Sequence, residues 1–254
     1  MDNSNLPSLP NNELERLNAL RSWEILDSAS SKELDAFTKL AAEICETPFA
    51  LLSLIDENRQ WFMSKVNLDI TEAPRSTSFC QYTVLGKEIF EVEDARENPL
   101  FANNPFVLGE PHIRFYAAAP LVDPNGFSIG SLCVVDQKPS KLNDLQRTAL
   151  KNLANAIMTN IVLIKKTKLL EGTLSDLDSF FKLSLDFMCI ASLEGYFIRI
   201  SNSFTSNLGY TETELLEKPF ISFVHEEDVE KTINALKDLN RGSTNILLDR
   251  KSVV

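Results

Sequence analysis

Two segments near the N-terminus repeat apolar residues at helical spacing. Residues 11–27 bring leucine and tryptophan side chains onto or near one face of a helix. In the next segment, apolar residues follow one another at intervals of three and four until Pro48 ends the pattern. Ser30, followed three residues later by Glu33, has the spacing of a capping box. The sequence therefore predicts two helices, the second of which is amphipathic.

Five short segments after Pro48 have the alternating or continuous apolar character of β-strands. In chain order they read PFALLSLID, RQWFMSKVN, EIFEVED, FYAAAPLVD and SIGSLCVVD. The first two flank a turn, and the last two are joined across PNGF, which supplies turn residues. The connections on either side of the third segment, residues 68–87 and 95–114, are polar or interrupted by proline and longer than hairpin loops. Long insertions on a sheet commonly form the walls of a binding site.

A long helical pattern follows the fifth strand. Asn143 is a suitable cap with Gln146 three residues on, and apolar residues recur at helical intervals as far as Ile164. The stripe resumes from Leu170 to Leu177. We expect the first half of the helix to pack on the sheet. Whether the second half leaves the domain and pairs with a copy of itself stays open.

The pattern changes again near residue 179. The phrase FMCIASLEGYFIRIS predicts a hairpin, and the segment after it predicts short helices interrupted at Gly209 and Pro219. Residues 243–254 are a last strand candidate. Three candidate strands make a poor sheet, so the sequence predicts an incomplete second domain.

The charge balance excludes one class of partner. Acidic residues outnumber basic ones by 36 to 25, the formal net charge is −11, and no basic patch is set apart along the chain. A phosphate backbone repels such a surface, so we expect no direct binding to nucleic acid.

Hydropathy and cysteine spacing indicate a cytoplasmic protein. No window reaches the roughly 18 uninterrupted apolar residues of a membrane-spanning helix, and we expect no membrane partner. The N-terminus is polar and acidic, unlike a secretory signal. The four cysteines are scattered rather than paired, which is typical of a reducing compartment.

Residues suited to catalysis are scarce. The only histidines are His112 and His225, and neither they nor the cysteines have the spacing of a zinc site. The sequence contains no P-loop, Rossmann fingerprint, kinase phosphoacceptor helix or cyclase signature. Without such features a chain does not carry out phosphoryl transfer alone. We therefore expect no catalytic residue, metal or cofactor here.

The order and spacing of several phrases resemble a GAF domain of the kind found near the N-terminus of bacterial sensor proteins. These phrases are ERLNALRSWEILDS, PFALLSLIDENRQWF, RSTSFCQYTV, VEDARENPLFANNPFV and RFYAAAPLVDPNGFSIGSLCVVDQKP. The later phrase FMCIASLEGYFIRISNSFTSNLGYTETELLEKPFISFVHEED is similar to the N-terminal part of a PAS domain. In that likeness His225 makes a structural hydrogen bond at a turn that leads into a helix.

The resemblance implies an α+β fold with two domains, each an antiparallel sheet of five or six strands with flanking helices. An N-terminal segment and helix at 1–27 would precede a GAF-like domain over 28–164. A helical connector at 165–178 would lead into a partial PAS-like domain at 179–254 that lacks its last strands.

The resemblance also implies a sensory role in bacterial signal transduction. The module would bind a small ligand, or relay a conformational change through the connector, to an output domain outside this chain. That output would be a histidine kinase or, as second choice, a diguanylate cyclase. The implied partners are a second copy of the chain, paired through the connector helix, and the output domain or a response regulator.

A GAF-like fold brings the segment around Cys80 and the start of the fourth strand to the edge of a central cavity. The candidate pocket residues are Arg75, Ser78, Phe79, Cys80, Tyr82, Arg114, Phe115 and Tyr116. Aromatic walls, arginines and a hydroxyl are suited to a small anion or an aromatic acid. The alternative is that both arginines pair with acids such as Glu72 or Asp94, while the aromatic rings and Cys80 fill the core.

Two other functions stay open at this point. Some free-standing proteins of the GAF fold reduce methionine sulfoxide with pocket cysteines, and Cys80 is the candidate nucleophile here. That reaction needs a resolving thiol, and Cys133, which is predicted to lie in the core, is a doubtful one. The last alternative is a purely structural dimerisation module.

Overall fold

The computed structural model describes residues 12–240 of the chain. The helices that precede the first sheet are α1 (Glu13–Ser22) and α2 (Lys32–Cys45). The strands of that sheet are β1 (Phe49–Ile55), β2 (Arg59–Val66), β3 (Glu72–Pro74), β4 (Phe90–Val92), β5 (Phe115–Val122) and β6 (Ser128–Asp136). Two short helices in its insertions are α3 (Cys80–Thr83) and α4 (Pro105–Leu108), and the long helix α5 (Asp144–Leu183) follows.

The predicted helices form, with one correction at a cap. The Ser31 hydroxyl, not that of Ser30, accepts a hydrogen bond from the Leu34 amide at 3.2 Å and begins α2. Ser30 instead donates to the Asp35 carboxylate at 2.7 Å. Either serine is suitable by residue type, and the extended backbone of Ser31 decides which one caps the helix.

The Asn143 cap forms as predicted. Its side chain accepts from the Gln146 amide at 2.9 Å, and the Gln146 side chain accepts from the Asn143 amide at 3.0 Å. This reciprocal pair satisfies two of the backbone donors that a helix start leaves without partners. The beginning of α5, at Asp144, is thereby fixed.

The first sheet is antiparallel and has the strand order β3-β2-β1-β6-β5-β4. All five predicted strands are present in it, and β3 is an addition that the sequence did not predict. Because successive side chains of a strand point to opposite faces, each central strand contributes to two separate cores. One core lies beneath the helices and the other beneath the two insertions.

The helix-side core joins the sheet to α1, α2 and the first half of α5. Leu150, Ala154 and Ile157 of α5 are buried in it together with Leu132 and Val134 of β6. The prediction that the first half of the long helix packs on the sheet is therefore confirmed.

The chain divides into two compact units between Lys166 and Thr167. The described part of the second unit contains β7 (Cys189–Ala191), β8 (Phe197–Ile200), α6 (Asn202–Leu208), α7 (Glu212–Glu217) and α8 (Val229–Asn240). The strands β7 and β8 form an antiparallel hairpin, as predicted. The described part of this unit thus has a two-stranded sheet formed by two of the three strand candidates, and the third candidate, at 243–254, lies outside the described residues.

Candidate functional site

The two long insertions cover the face of the first sheet opposite the long helices. The first passes through a 3₁₀ turn, Arg75–Thr77, into α3, where the Ser78 hydroxyl accepts a hydrogen bond from the Gln81 amide at 3.2 Å. The second contains α4, which begins where the Asn104 side chain accepts from a backbone amide two residues on. The Asn104 side chain also donates to the Thr77 carbonyl at 2.9 Å. That bond holds the two insertions together.

Aromatic rings fill most of the space between the insertions and the sheet. Phe79 stacks on Phe101 with ring centroids 4.0 Å apart, and Tyr82 meets Phe101 edge-on at 4.9 Å. Tyr116 extends from β5 to within 5.2 Å of the Phe79 ring centroid. Such pairs add stability beyond the area they bury, so this side of the sheet is a packed second core.

A cavity of about 70 Å³ remains within this core. Its walls are mainly apolar and include Leu51, Phe62 and Val135. Ile70 and Pro111, which are exposed and half-buried respectively, give it a side toward solvent. The polar residues at its border are Gln60, Thr77, Ser78, Cys80, Tyr116 and Cys133, but the surface of the cavity is almost wholly apolar and none of its lining residues is charged.

The Cys80 thiol is the centre of a buried hydrogen-bond cluster at the sheet. The Gln60 side-chain amide donates to the Cys80 sulfur at 3.1 Å and to the Ser53 hydroxyl at 2.8 Å. The Tyr116 hydroxyl donates to the same sulfur at 3.2 Å. The Cys80 and Cys133 sulfur atoms are 3.8 Å apart. Strands β1, β2, β5 and β6 and helix α3 therefore converge on one thiol.

This environment distinguishes the two thiols. Burial raises the pKa of Cys80, but the side chains of Cys133, Ser131, Tyr116 and Ser53 favour its thiolate and lower the pKa to about 6. The pKa of Cys133 is raised well above its ordinary value by the neighbouring Cys80 and by burial. Cys80 is thus the thiol of this pair that ionises first.

Arg75 does not line the cavity but belongs to a buried ion-pair cluster. Its Nη1 lies 2.6 Å from Oε1 of Glu13 in α1 and also donates to the Asp56 carbonyl at 3.1 Å. Glu72, which the sequence offered as its partner, instead pairs with Arg59 at 2.7 Å. The predicted partner is wrong because the fold brings Glu13 of α1, 62 residues away in the sequence, within reach of Arg75.

Arg114 also lies outside the lining of the cavity. Its Nη1 donates to the carbonyls of Val107 and Ile113 at 2.9 and 3.0 Å, so it ties α4 to the start of β5. Asp94, the acid suggested for it, forms its ion pair with Arg96 at 2.5 Å. Both arginines thus have structural partners, although not the predicted ones.

The eight candidate residues separate into two groups. Those that line the cavity are Ser78, Phe79, Cys80 and Tyr116. Tyr82 packs behind the wall against Phe101, and Phe115 lies in the helix-side core. Phe115 and Tyr116 are adjacent in β5 and therefore point to opposite faces of the sheet.

Two site residues were not identified from the sequence. Gln60 was not a candidate, and Cys133 was expected to be core and a doubtful partner for Cys80. Cys133 is buried, as predicted, but it lies in contact with Cys80, which corrects the second expectation. The strand pairing contains the missing signal: Cys133 is opposite Ala118, two positions from Tyr116, so both point to the insertion side.

The histidines do not contribute to this site. His225 begins a 3₁₀ turn by accepting a hydrogen bond from the Glu227 amide on its Nδ1 at 3.3 Å, which confirms its structural role. His112 is exposed in the second insertion, with its Nε2 3.7 Å from the Glu110 carboxylate. Across residues 12–240, no cluster of three or more potential metal ligands occurs. Within the same range, no helix is long and apolar enough to cross a membrane.

An antiparallel six-stranded sheet, with helices on one face and a small cavity beneath two insertions on the other, defines the fold class of this unit. The GAF domain profile matches residues 31–161, just over half of the chain. The chain therefore belongs to the GAF family.

Individual relatives extend this comparison. A cyclic di-GMP phosphodiesterase of Pseudomonas aeruginosa is 38% identical over 166 residues, which cover 65% of this chain and 28% of that protein. The GAF domain of an Acinetobacter phosphoenolpyruvate-protein phosphotransferase has a TM-score of 0.46 at 21% identity and covers 61% of this chain and 96% of that one. The free methionine-R-sulfoxide reductase of Neisseria meningitidis has a TM-score of 0.45 at 15% identity, with coverages of 61% and 90%.

Proposed function

We propose that this chain is the sensory part of a signalling protein and that its GAF unit receives a small, uncharged molecule. The observation that supports this most strongly is the cavity itself. Its surface is almost wholly apolar, and the hydrogen-bonded side chains of Gln60, Cys80 and Tyr116 border it, so it suits a small uncharged molecule.

The size and charge of the cavity narrow the ligand class. A volume of about 70 Å³ is less than half that of the roughly 150 Å³ cavity known to admit benzene, so a ligand of a few heavy atoms fits. An anion would be buried without a cationic partner, which is costly. This proposal replaces the small anion or aromatic acid expected from the sequence.

A pair of isosteric molecules tests this class. Propionamide is expected to raise the thermal unfolding midpoint of the chain, whereas propionate at the same concentration is not, because binding to the folded state stabilises it. Trp23 and Trp61, the two tryptophans of the chain, both lie in the first unit, so tryptophan fluorescence reports on that unit alone.

The matched control is Val135→Leu, which adds a methylene group to the cavity wall. This variant is expected to lose the propionamide effect while keeping its own midpoint within a few degrees. An equal response to both molecules, or an undiminished response in the variant, would contradict the proposed ligand class.

Binding at the cavity has a physical route to α5. Cys133 and Val135 of β6 line the cavity, and Leu132 and Val134 of the same strand pack beneath α5. A ligand that favours one position of β6 therefore biases the packing of the helix, which is the requirement for a relay. In this proposal the output domain lies outside this chain. The second unit is the N-terminal part of a PAS domain.

For the output, the named relative favours cyclic di-GMP hydrolysis over the histidine kinase expected first and the diguanylate cyclase expected second. That relative is a phosphodiesterase, and the chain spans about 28% of its length. A chimera in which this chain replaces the matching part of the relative is expected to hydrolyse cyclic di-GMP at a rate that changes with propionamide. A rate that is unaffected by propionamide would remove the support for this output.

The dimensions of the site disfavour methionine sulfoxide reduction. That substrate carries an ammonium and a carboxylate group, and the lining of the cavity offers no charged side chain to either. Its ten heavy atoms also exceed the few that a cavity of about 70 Å³ holds.

We also propose that two copies of the chain pair through the second half of α5. Leu163, Leu170 and Leu177 recur every seven residues, and Leu174 occupies the intervening position of the same stripe. These four side chains are 39% to 60% exposed in the single chain. A second copy covers them in the manner of a short coiled coil.

Substitution within this stripe tests the pairing. Leu170→Lys is expected to weaken dimerisation by about tenfold or more, because it places an unpaired charge in an apolar seam. Ser175→Lys, which adds the same side chain at an exposed position outside the stripe, is expected to leave it unchanged. Light scattering over a concentration series measures both, and a monomeric wild-type chain at every concentration would contradict the pairing.

A further inference from the structure

Two thiols that are far apart in the sequence are in contact beside the cavity. Cys80 lies at the start of α3 and Cys133 at the middle of β6, and their sulfur atoms are 3.8 Å apart. A disulfide bond needs about 2.05 Å, so a small movement of the one-turn helix α3 brings the sulfur atoms into bonding range.

The surroundings prepare the two thiols for different roles. Gln60 and Tyr116 donate hydrogen bonds to the Cys80 sulfur, which stabilises the thiolate that acts as nucleophile. Cys133 is held as a thiol, so its proton is available to a leaving group. The titratable groups in hydrogen-bond contact with Cys80 are Cys133 and Tyr116, and no charged side chain lines the site.

The cavity gives both thiols a route to small reagents. Cys80 and Cys133 each contribute to its lining, although their side chains are otherwise buried. The remaining cysteines differ: Cys189 is exposed, and Cys45 is buried in the helix-side core, where burial raises its pKa to about 11.

We propose that Cys80 and Cys133 form an oxidisable dithiol that hydrogen peroxide or a small organic peroxide converts to a disulfide. This modification does not depend on whether the cavity also binds a neutral ligand. Its failure and that of the proposed ligand site are therefore distinguishable.

The chemistry proceeds in two balanced steps. The Cys80 thiolate attacks the hydroxyl oxygen of the peroxide, the O–O bond breaks and a sulfenic acid forms at Cys80. The departing alkoxide or hydroxide takes a proton from solvent, equal to the one that Cys80 released on ionising, and leaves as alcohol or water. The Cys133 sulfur then attacks the sulfenic sulfur, the S–O bond breaks, and water leaves with the Cys133 proton. Two thiols are oxidised by two electrons in total, and one peroxide is reduced; a dithiol reductant reverses the bond.

Oxidation changes the cluster around the sulfur. The disulfide links α3 directly to β6 and removes the thiolate that accepts from Tyr116 and Gln60. Tyr116 keeps its contact with the Thr83 hydroxyl at 2.9 Å. The modification therefore shifts α3 against the strand that packs beneath α5.

The first test uses the double variant Cys45→Ser/Cys189→Ser, in which Cys80 and Cys133 are the remaining cysteines. After hydrogen peroxide, denaturation and alkylation, intact mass spectrometry is expected to show a species two hydrogens lighter with no alkyl group. Dithiothreitol is expected to restore both alkylation sites. Peptide mapping of the wild-type chain gives the same information without any substitution.

Single variants assign the roles. In Cys133→Ser, dimedone is expected to trap a sulfenic acid at Cys80. In Cys80→Ser, dimedone labelling of Cys133 after peroxide is expected to be at least about tenfold slower than that of Cys80 in Cys133→Ser. Two freely alkylated thiols after peroxide, or oxidation confined to Cys189 in the wild-type chain, would overturn the proposal.

The pH dependence of the oxidation rate distinguishes a reactive Cys80 from a purely structural one. A substitution that affected only the packing around Cys80 would leave its midpoint unchanged. Tyr116→Phe removes one donor to the Cys80 sulfur, so the midpoint of the rate profile is expected to rise by about one pH unit. Tyr196→Phe, in the second unit, is the control and is expected to leave the profile unchanged. An unchanged midpoint in Tyr116→Phe would contradict the assignment of Cys80 as the attacking thiol.

Discussion

Replacing Glu13 by glutamine is expected to lower the free energy of unfolding of the first unit by about 3–5 kcal/mol. The Glu13 carboxylate binds Arg16 through two hydrogen bonds at 2.7 and 2.8 Å and Arg75 through a third at 2.6 Å. Both guanidinium groups are buried. The variant leaves two buried cations without their counter-charge. The free-energy cost of those unpaired charges exceeds the net stabilisation that the ion-pair cluster provides.

Urea unfolding followed by tryptophan fluorescence measures the loss. Glu15→Gln is the matched control, since Glu15 lies on the same helix but is exposed, and its effect is expected to stay within about 0.5 kcal/mol. A loss in Glu13→Gln as small as that of the control would show that the cluster does not stabilise the fold.

The same carboxylate gives the first unit an acid dependence. Burial raises the pKa of Glu13, but Arg16 and Arg75 lower it from the ordinary 4.5 to about 2. Because the folded value is the lower one, its stabilisation is complete above the unfolded pKa and is lost as the pH falls from 4.5 towards 2. The difference in stability between wild type and Glu13→Gln is therefore expected to shrink over that interval, and a constant difference would contradict the assignment.

Replacing Gly130 by alanine is expected to cost about 3 kcal/mol or more. Gly130 lies in β6 opposite Leu54 of β1, and a Cβ atom there would come within 2.1 Å of the Ser53 carbonyl oxygen. The obstacle is backbone in the centre of the sheet, so two paired strands must separate to relieve it. The disturbance also reaches Ser53 and Ser131, which flank the Cys80 cluster.

Gly172 provides the control for this substitution. It lies within α5, and a Cβ atom at that position would meet nothing within 4 Å. Gly172→Ala is expected to stabilise the helix by about 0.5–1 kcal/mol, since alanine loses less conformational freedom than glycine. Circular dichroism, which reports on both units, measures the two changes, and equal effects on unfolding would show that the close approach at Gly130 is not sterically limiting.

Local patterns were sufficient for most of the first unit. The apolar runs that predict β1, β2, β5 and β6 depend only on neighbouring residues, because both sides of each strand face a core. The strand β3 was missed because Glu72–Pro74 has no apolar run and is a strand only through its pairing with β2. This segment is a strand because of its tertiary contacts, and the local sequence pattern does not reveal them.

The candidate site depends even more on contacts between residues that are distant in the sequence. Cys80, Phe79 and Tyr116 were identified from their segments, but the contact between Cys80 and Cys133 joins positions 53 residues apart. The partner of Arg75, Glu13, lies 62 residues away. Residue type indicates that an arginine needs an acid, but the fold decides which acid is within reach.

Amide NMR of the ¹⁵N-labelled chain, titrated with propionamide and separately with propionate, locates the ligand site of the GAF unit. We expect propionamide to shift the resonances of the cavity-lining residues on β2, α3 and β6, including Gln60, Cys80 and Val135, while propionate leaves them in place. Shifts confined to residues outside the cavity, or no shifts with either molecule, would contradict the assignment of this cavity as the sensory site.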